Sequence, residues 1–235
     1  MNERMVWLDL IKTIIFDLDD TLCDSTPSIT EHYNLVKKDL TSSGLDNKYL
    51  MLLDEIFKVD SFEDAIKQVI EQLRHDKKDS LISNVLTAAE LYNIKDDNFE
   101  IALLPGAQEM LEKLNRAGKQ LFLVTIGDQM LQERKIKKLG IGHYFKAYYI
   151  SNPIGGGSTK EKLFNDILKG YKLNPDYCDI MVVGDKLKDE LKYGHELGLL
   201  TVQMLHGKYK DAKADFEPHY KISSLLELLE LLKIK

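Results

Sequence analysis

The sequence predicts an α/β protein with a doubly wound, mainly parallel Rossmann-like sheet and an inserted all-helical cap domain. From residue 105 to the end, short apolar runs alternate with segments of helical period, which is the pattern of parallel strands joined by helices. Residues 24–100 break this alternation with helical periodicity and no convincing strand. A chain of 235 residues is long enough for a main domain that carries a smaller one.

The predicted strands are short apolar runs, as expected for strands that are buried on both faces of a sheet. Four runs are clear, and a fifth is weaker. They are Thr13–Phe16, Leu121–Thr125, Ala147–Ile150, Ile180–Val183 and, as the weaker fifth, Leu200–Met204.

The clearest helix of the main domain is predicted over Pro105–Ala117. Pro105 suits a first helical turn, and Gly118 suits the C-terminal cap. Its apolar residues follow an i, i+3, i+4, i+7 pattern at Ala107, Met110, Leu111 and Leu114. The last helix is predicted over Ser223–Lys233, with a leucine stripe that favours core packing and leaves a dimer contact open.

The helical insertion shows its period most clearly between residues 62 and 73, where Ser61 is placed to cap a helix. The apolar positions there are Phe62, Ala65, Ile66, Val69, Ile70 and Leu73. We expect residues 1–23 and 101–235 to form the core domain and residues 24–100 to form the cap. Both crossings then lie near the end of the first strand, where a cap can act as a lid.

Composition narrows the class of protein. The 32 Lys and Arg residues against 38 Asp and Glu residues give a net charge of −6, which argues against binding to nucleic acid or to an anionic membrane. Cys23 and Cys178 have neither metal-ligand nor redox spacing. Residues 1–12 lack a signal-peptide core, and no later run reaches membrane-spanning length. We therefore predict a soluble cytoplasmic protein, a monomer or homodimer, with a small-molecule partner.

The first strand runs into a cluster of like charges, Asp17, Asp19 and Asp20, followed by Thr21. On an extended backbone Asp17 and Asp19 would share one face, where their repulsion requires a cation or a shared proton. A lone Asp-x-Asp is more often a solvated acidic turn. The residues that follow the other strands favour a functional role.

Two of those strands are followed by groups that suit an anion. After Thr125 come Ile126 and Gly127, which give a flexible turn, and then Asp128, a candidate N-cap. After the third strand, Ser158-Thr159-Lys160-Glu161 has a capping-box spacing that places Lys160 in the first turn of a helix. A cation at that position interacts unfavourably with the helix dipole, so its presence indicates a compensating group nearby.

The fourth strand ends in Gly184-Asp185, with Asp189 four residues later. Ligands of open α/β sheets bind beyond the carboxyl ends of the strands, so Asp17, Asp19, Asp185 and Asp189 are expected at one edge. Lys160 alone cannot neutralise four carboxylates, and a divalent metal beside it would resolve the conflict. Because the candidate ligands are all oxygens, Mg²⁺ is predicted rather than zinc.

Together these residues resemble the four motifs of the haloacid dehalogenase superfamily. The motifs appear in order as Asp17-Leu18-Asp19-Asp20-Thr21, Thr125, Lys160, and Gly184-Asp185 with Asp189. The resemblance spans residues 13 to about 205 and includes the position of that superfamily's helical cap. It implies a phosphatase of the branch with a helical cap.

The resemblance also implies a role for each site residue. Asp17 would be the nucleophile that forms an aspartyl-phosphate, and Asp19 the general acid and then the general base. Thr125 and Lys160, with Ile126 and Gly127, would bind the transferring phosphoryl group. Ile126 departs from the family, whose members often have Asn at that position.

Mg²⁺ would be bound by Asp17, the backbone carbonyl of Asp19, and Asp185. Asp189 would orient Lys160 or a metal-bound water. Lys162 is the alternative to Lys160 as catalytic lysine, but it is better interpreted as a solvated helix residue. Because Asp19 lies beside another carboxylate, we expect its pKa to be raised.

The predicted function is a Mg²⁺-dependent phosphatase that hydrolyses a small phosphorylated metabolite. A sugar-phosphate mutase or another phosphotransferase is the alternative, since it would use the same four motifs. Dehalogenase activity is disfavoured because Asp19 is present. The run Gly155-Gly156-Gly157 before Lys160 lacks the spacing of a P-loop and is predicted to be a flexible loop.

Overall fold

The computed structural model describes residues 8–92, 100–152, 159–175 and 179–235. The predictions that concern residues 1–7, the glycine run at 155–157 and Cys178 lie outside the described residues. The chain divides into two compact units, with boundaries after Ser25 and before Ile101.

The unit between these boundaries is helical. Its helices are α1 (Thr26–Ser42), α2 (Asn47–Val59), α3 (Phe62–His75) and α4 (Ile82–Tyr92). They enclose a core of their own, built from residues such as Val36, Leu53, Val69 and Val85. The predicted cap of α3 is confirmed, because the Ser61 hydroxyl accepts a hydrogen bond from the Asp64 backbone N–H at 3.1 Å.

The other unit contains all the strands that the structure describes. In chain order they are β1 (Thr13–Phe16), β2 (Cys23–Asp24), β3 (Ala102–Leu103), β4 (Gln120–Ile126), β5 (Ala147–Ser151), β6 (Ile180–Gly184), β7 (Leu200–Met204) and β8 (Tyr220–Ile222). Six of them form one sheet in the order β5-β4-β1-β6-β7-β8, and every pairing in it is parallel. Strands β2 and β3 form a separate antiparallel pair.

The five predicted strands are confirmed, with ends that differ by at most one residue. Strand β8 was not predicted. It is three residues long, and its central residue, Lys221, is exposed at the edge of the sheet, so it lacks the apolar run of a buried strand.

Helices pack on both faces of the sheet. They are α5 (Ala107–Arg116), α6 (Gln129–Leu139), α7 (Lys160–Gly170), α8 (Glu190–Glu196) and α9 (Leu226–Leu231). Because side chains alternate along a strand, Ile14 and Phe16 enter the core under α5 and α9, while Ile15 enters the core under α7 and α8. The doubly wound α/β architecture is thus confirmed.

Two helix starts differ from the prediction. Helix α5 begins at Ala107, not Pro105, because Gly106 at φ 81° takes the N-cap position in a conformation that favours glycine. Helix α9 is shorter than Ser223–Lys233, although its leucines pack in the core as expected. Within the described ranges, no helix is long and apolar enough to cross a membrane.

Leu111 tests how much α5 contributes to stability. Its side chain is fully buried in the core of the sheet unit. Leu111→Ala should lower the free energy of unfolding by about 2–5 kcal/mol, because it removes buried apolar atoms and leaves a cavity. Denaturant unfolding monitored by circular dichroism measures this change. Arg116→Ala, on the exposed face of the same helix, is the control, and an equal effect of both substitutions would contradict the assignment.

Candidate active site

The register of the sheet brings the predicted residues of three strands to one edge. Phe16 pairs with Leu123 on β4 and with Val183 on β6, so Thr125 and Asp185 each lie two residues beyond the level of Phe16, and Asp17 lies one residue beyond it. Asp17 continues the ladder by donating its backbone N–H to the carbonyl of Val183 at 3.0 Å. Asp17, Thr125 and Asp185 are all buried at this edge.

Lys160 is the cation beside Asp17. It is the first residue of α7, whose N-cap Thr159 accepts a hydrogen bond from the Lys162 backbone N–H at 3.4 Å. The Lys160 ammonium lies 2.6 Å from Asp17 Oδ1, and it is 3% exposed. Lys162 is exposed to solvent.

Two more carboxylates contact the same ammonium. Glu190 Oε2 lies 2.7 Å from Lys160 Nζ, and Asp189 Oδ2 lies 3.1 Å from it. Three carboxylates around one ammonium explain why a lysine is placed at the N-terminus of a helix against the dipole. Burial would lower the pKa of Lys160, but Asp17, Asp189 and Glu190 raise it well above its usual range, so the side chain stays charged.

Glu190 is a site residue that the sequence analysis missed. It is 1% exposed, whereas the Asp189 side chain is 30% exposed. Its Oε1 accepts a hydrogen bond from the Lys186 backbone N–H at 2.7 Å. The sequence signal that could have identified Glu190 is its position directly after Asp189, as a second acidic residue.

Gly184 makes room for Glu190. A Cβ atom at position 184 would lie 2.3 Å from Glu190 Cγ, closer than real Cβ atoms approach other heavy atoms. The Gly184-Asp185 motif therefore combines a close approach of the glycine backbone with a buried carboxylate.

Asp185 has the surroundings of a metal ligand. Both of its carboxylate oxygens are buried without a hydrogen-bond partner among the described residues. Burial, Glu190 and Asp17 raise the pKa of Asp185 well above its usual range. A buried carboxylate without partners is costly unless a proton or a cation compensates it.

The geometry of the neighbouring carboxylates fits a divalent cation. Asp17, Asp185 and Glu190 each offer an oxygen, and these oxygens lie within 4.8 Å of one another. Both oxygens of Glu190 accept hydrogen bonds of 2.7 Å, whereas Asp17 Oδ2 has only a contact of 3.4 Å with the Thr21 hydroxyl and the Asp185 oxygens have no partner among the described residues, so Asp17 and Asp185 are the better ligands. An all-oxygen set of this kind suits Mg²⁺.

The same burial affects Asp17. Desolvation raises its pKa, Lys160 lowers it, and the nearby Glu190 and Asp19 raise it further, to about 7 in the metal-free protein. A bound divalent cation would favour the ionised form of Asp17.

Asp19 does not behave as expected. Its Oδ1 lies 2.7 Å from Lys135 Nζ, and its Oδ2 accepts a hydrogen bond from Gln132 Nε2 at 3.1 Å. Burial would raise the pKa of Asp19, but Lys135 and the hydrogen bonds from Lys135 and Gln132 lower it overall. The prediction of a raised pKa was wrong because the sequence showed the carboxylate two residues away and not the lysine that α6 brings to it. Metal binding by the Asp19 backbone carbonyl stays a prediction.

The turn after β4 is built around Gln132. Its Nε2 also donates to the Ile126 carbonyl at 3.1 Å. A Cβ atom at Gly127 would lie 2.6 Å from that Nε2, so the glycine leaves space for the amide. Phosphate binding by Thr125, Ile126 and Gly127 stays a prediction.

Asp20 and Thr21 shape the loop after β1. Asp20 has a φ of 57°, and its Oδ1 accepts hydrogen bonds from the Ser25 backbone N–H at 3.0 Å and from the Ser25 hydroxyl at 2.8 Å. The Thr21 hydroxyl lies 3.4 Å from Asp17 Oδ2. Asp20 therefore orders the loop.

Comparisons with known proteins identify relatives of this chain. The family model of the haloacid dehalogenase-like hydrolases matches residues 11–194. A glyceraldehyde 3-phosphate phosphatase of Methanocaldococcus jannaschii is 30% identical, over 95% of this chain and 98% of its own.

Two solved structures have the same fold. A haloacid dehalogenase-like family protein from Streptococcus pneumoniae superposes with a TM-score of 0.70 at 23% identity, covering 94% of this chain and 98% of its own. The HAD hydrolase YfnB of Bacillus subtilis, solved bound to magnesium, has a TM-score of 0.62 at 20% identity, covering 95% of this chain and 99% of its own.

Asp185→Asn tests the metal site through stability. Because the pKa values of Asp17 and Asp185 are raised on folding, the metal-free protein binds more protons than the unfolded chain above pH 4, and it should lose stability as the pH rises from about 4 to 7. The Asp185→Asn variant should lose less stability over the same pH range. At pH 8 without metal it should be more stable than the wild type by about 1–3 kcal/mol, because it lacks a buried carboxyl group without hydrogen-bond partners among the described residues.

Thermal unfolding with a chelator, and then with excess MgCl₂, measures both effects. MgCl₂ should raise the melting temperature of the wild type and leave that of Asp185→Asn nearly unchanged. Asp211→Asn, at an exposed position, is the control and should behave as the wild type does. An equal response to MgCl₂ in the wild type and in Asp185→Asn would contradict the assignment.

Proposed function

The chain belongs to the haloacid dehalogenase-like hydrolases, as a phosphatase, and from that premise we propose that it hydrolyses a small phosphate monoester through an aspartyl-phosphate on Asp17. The observation that carries the proposal is the buried contact of 2.6 Å between Asp17 and Lys160, next to the unpartnered carboxylate of Asp185. A carboxylate so placed can attack an anion, because positive charge is fixed beside it.

In the first half-reaction, a carboxylate oxygen of Asp17 attacks phosphorus and the bond from phosphorus to the ester oxygen breaks. Asp19 donates a proton to that oxygen, which leaves as an alcohol. Lys160 offsets negative charge on the transferring group. Asp17 and Asp185 would hold Mg²⁺, whose positive charge lets the phosphate dianion approach a carboxylate.

In the second half-reaction, water attacks the phosphorus of the aspartyl-phosphate and gives a proton to Asp19. Inorganic phosphate leaves, and Asp17 is regenerated as a carboxylate. The lowered pKa of Asp19 favours the ionised form that this step needs. To act as the acid in the first half-reaction, Asp19 must bind a proton in competition with Lys135.

For the substrate, we propose a small phosphorylated metabolite, with glyceraldehyde 3-phosphate as the first compound to test. The support is the relative from Methanocaldococcus jannaschii, which aligns over nearly the full length of both chains. We further propose that residues 24–100 form a cap that sets specificity and that residues 1–23 and 101–235 form the core.

Asp17→Asn should abolish turnover, because it removes the nucleophile and leaves a side chain of the same shape. We expect the release of inorganic phosphate to fall by roughly 10⁴-fold or more. The assay is phosphate release from glyceraldehyde 3-phosphate and a panel of sugar phosphates, with a parallel search for isomerised sugar phosphate. Asp211→Asn is the matched control. Wild-type hydrolysis by Asp17→Asn would sink the mechanism.

Gly184→Ala should lower activity by about 10- to 100-fold, the usual effect of disturbing groups that support a metal site. The added Cβ would displace Glu190 from Lys160 and from the Lys186 N–H. Gly170→Ala is the matched control, since a Cβ there meets nothing within 4 Å. The measurement is the rate of phosphate release by the two variants. Wild-type activity of Gly184→Ala would show that Glu190 is dispensable.

A further inference from the structure

We propose that Gln132 and Lys135, on one face of α6, position the Asp19 carboxylate for its two proton transfers. The inference rests on the proposed function, in which Asp19 is the acid and the base. It adds two positioning residues that lie outside the four motifs.

Each oxygen of Asp19 has its own donor. Lys135 Nζ contacts Oδ1 at 2.7 Å, and Gln132 Nε2 contacts Oδ2 at 3.1 Å. Two donors on two oxygens fix the plane of the carboxylate as well as its position. A single contact would leave the group free to rotate.

Both donors are buried, although glutamine and lysine are usually exposed. Gln132 is 3% and Lys135 is 5% exposed. A buried ion pair contributes little net stability, since desolvation of both charges opposes their attraction. A role in holding Asp19 explains why Lys135 is buried although its desolvation is unfavourable.

The backbone of α6 determines where these donors lie. Residues 132 and 135 are three apart and therefore share one face of the helix. The start of α6 is held by Asp128, whose carboxylate accepts a hydrogen bond from the Leu131 N–H at 3.0 Å. Groups that are placed by a capped helix are held more precisely than groups on a loop.

The turn before α6 is shaped for the same contact. Gln132 Nε2 is held by the Ile126 carbonyl, and Gly127 supplies the space that the amide occupies. Ile126 and Gly127 thus have a use in this inference that does not require them to touch the substrate.

The two carboxylates, on Asp17 and Asp19, pair with different cations. Asp17 is paired with Lys160 on α7, while Asp19 is paired with Lys135 on α6. Neighbouring acids in the sequence thereby receive separate partners from separate helices, and the acid and base group does not compete for the lysine beside the nucleophile.

The experiment compares two leaving groups. An alkyl phosphate such as glycerol phosphate needs a proton on its departing oxygen, whereas p-nitrophenolate leaves without one. In Lys135→Met, kcat/KM for glycerol phosphate should fall by about 10²-fold, the usual contribution of general acid catalysis. For p-nitrophenyl phosphate, kcat/KM should stay within a factor of about three of the wild-type value.

Turnover of p-nitrophenyl phosphate by Lys135→Met should still slow down, because activation of water also needs a positioned Asp19. The expected signature is a burst of p-nitrophenolate, about equal in amount to the enzyme, followed by a slow steady rate. A purely structural role would reduce both substrates equally and give no burst.

Lys137→Met is the matched control, since Lys137 is exposed on the same helix. Asp19→Asn and Asp19→Asn/Lys135→Met form a second pair. Their rates should agree within a factor of about two, because Lys135 acts through Asp19. If Lys135→Met fails to fold, this pair of variants still tests the inference, since neither of them leaves an unpaired carboxylate at position 19.

Equal losses on both esters, or a double variant much slower than Asp19→Asn, would overturn the inference. The same holds if Lys135→Met matches the wild type while Asp17→Asn is inactive, and the proposed function then stands. If the wild type hydrolyses neither ester, or Asp17→Asn is fully active, the proposed function fails and this inference fails with it.

Discussion

The site depends on one electrostatic constraint, the burial of several carboxylates at one edge of a parallel sheet. Lys160 contacts two of them, on Asp17 and Glu190, and also the partly exposed carboxylate of Asp189. Lys160 and the nearby Lys186 cannot balance these three carboxylates and also the buried Asp185, whose oxygens have no hydrogen-bond partner among the described residues. The remaining negative charge in the metal-free protein favours a bound proton or a divalent cation. In the proposed function, a divalent cation held by these carboxylates would offset their charge and let an anionic substrate approach.

The rest of the sheet unit keeps this edge in place. Apolar cores on both faces of the sheet fix the strands, and the parallel register then fixes the level at which each strand ends. Two glycines allow close approach where it is needed: Gly184 accommodates Glu190, and Gly127 accommodates Gln132. The site thus combines rigid elements that position charge with small residues that leave room for it.

Asp17 and Asp19 show how two acids that are two residues apart in the sequence acquire different properties. Lys160 is the cation of Asp17, but burial and nearby carboxylates raise the pKa of that group to about 7. Asp19 is partly buried, but Lys135 and Gln132 lower its pKa. The difference arises from the partners that two separate helices bring to the two carboxylates.

The sequence by itself determined the fold class, five of the strands, the caps at Ser61 and Asp128, and the family. These features depend on local patterns, namely apolar runs, capping residues and short motifs at strand ends. Only the tertiary structure showed that Glu190 is buried against Lys160 and that Gln132 and Lys135 hold Asp19. The hydrogen bonds from Lys135 and Lys160 to the carboxylates after β1 span 116 and 143 residues of chain. A pKa depends on burial and on every charge nearby in space, and no local pattern shows which distant side chains those charges belong to.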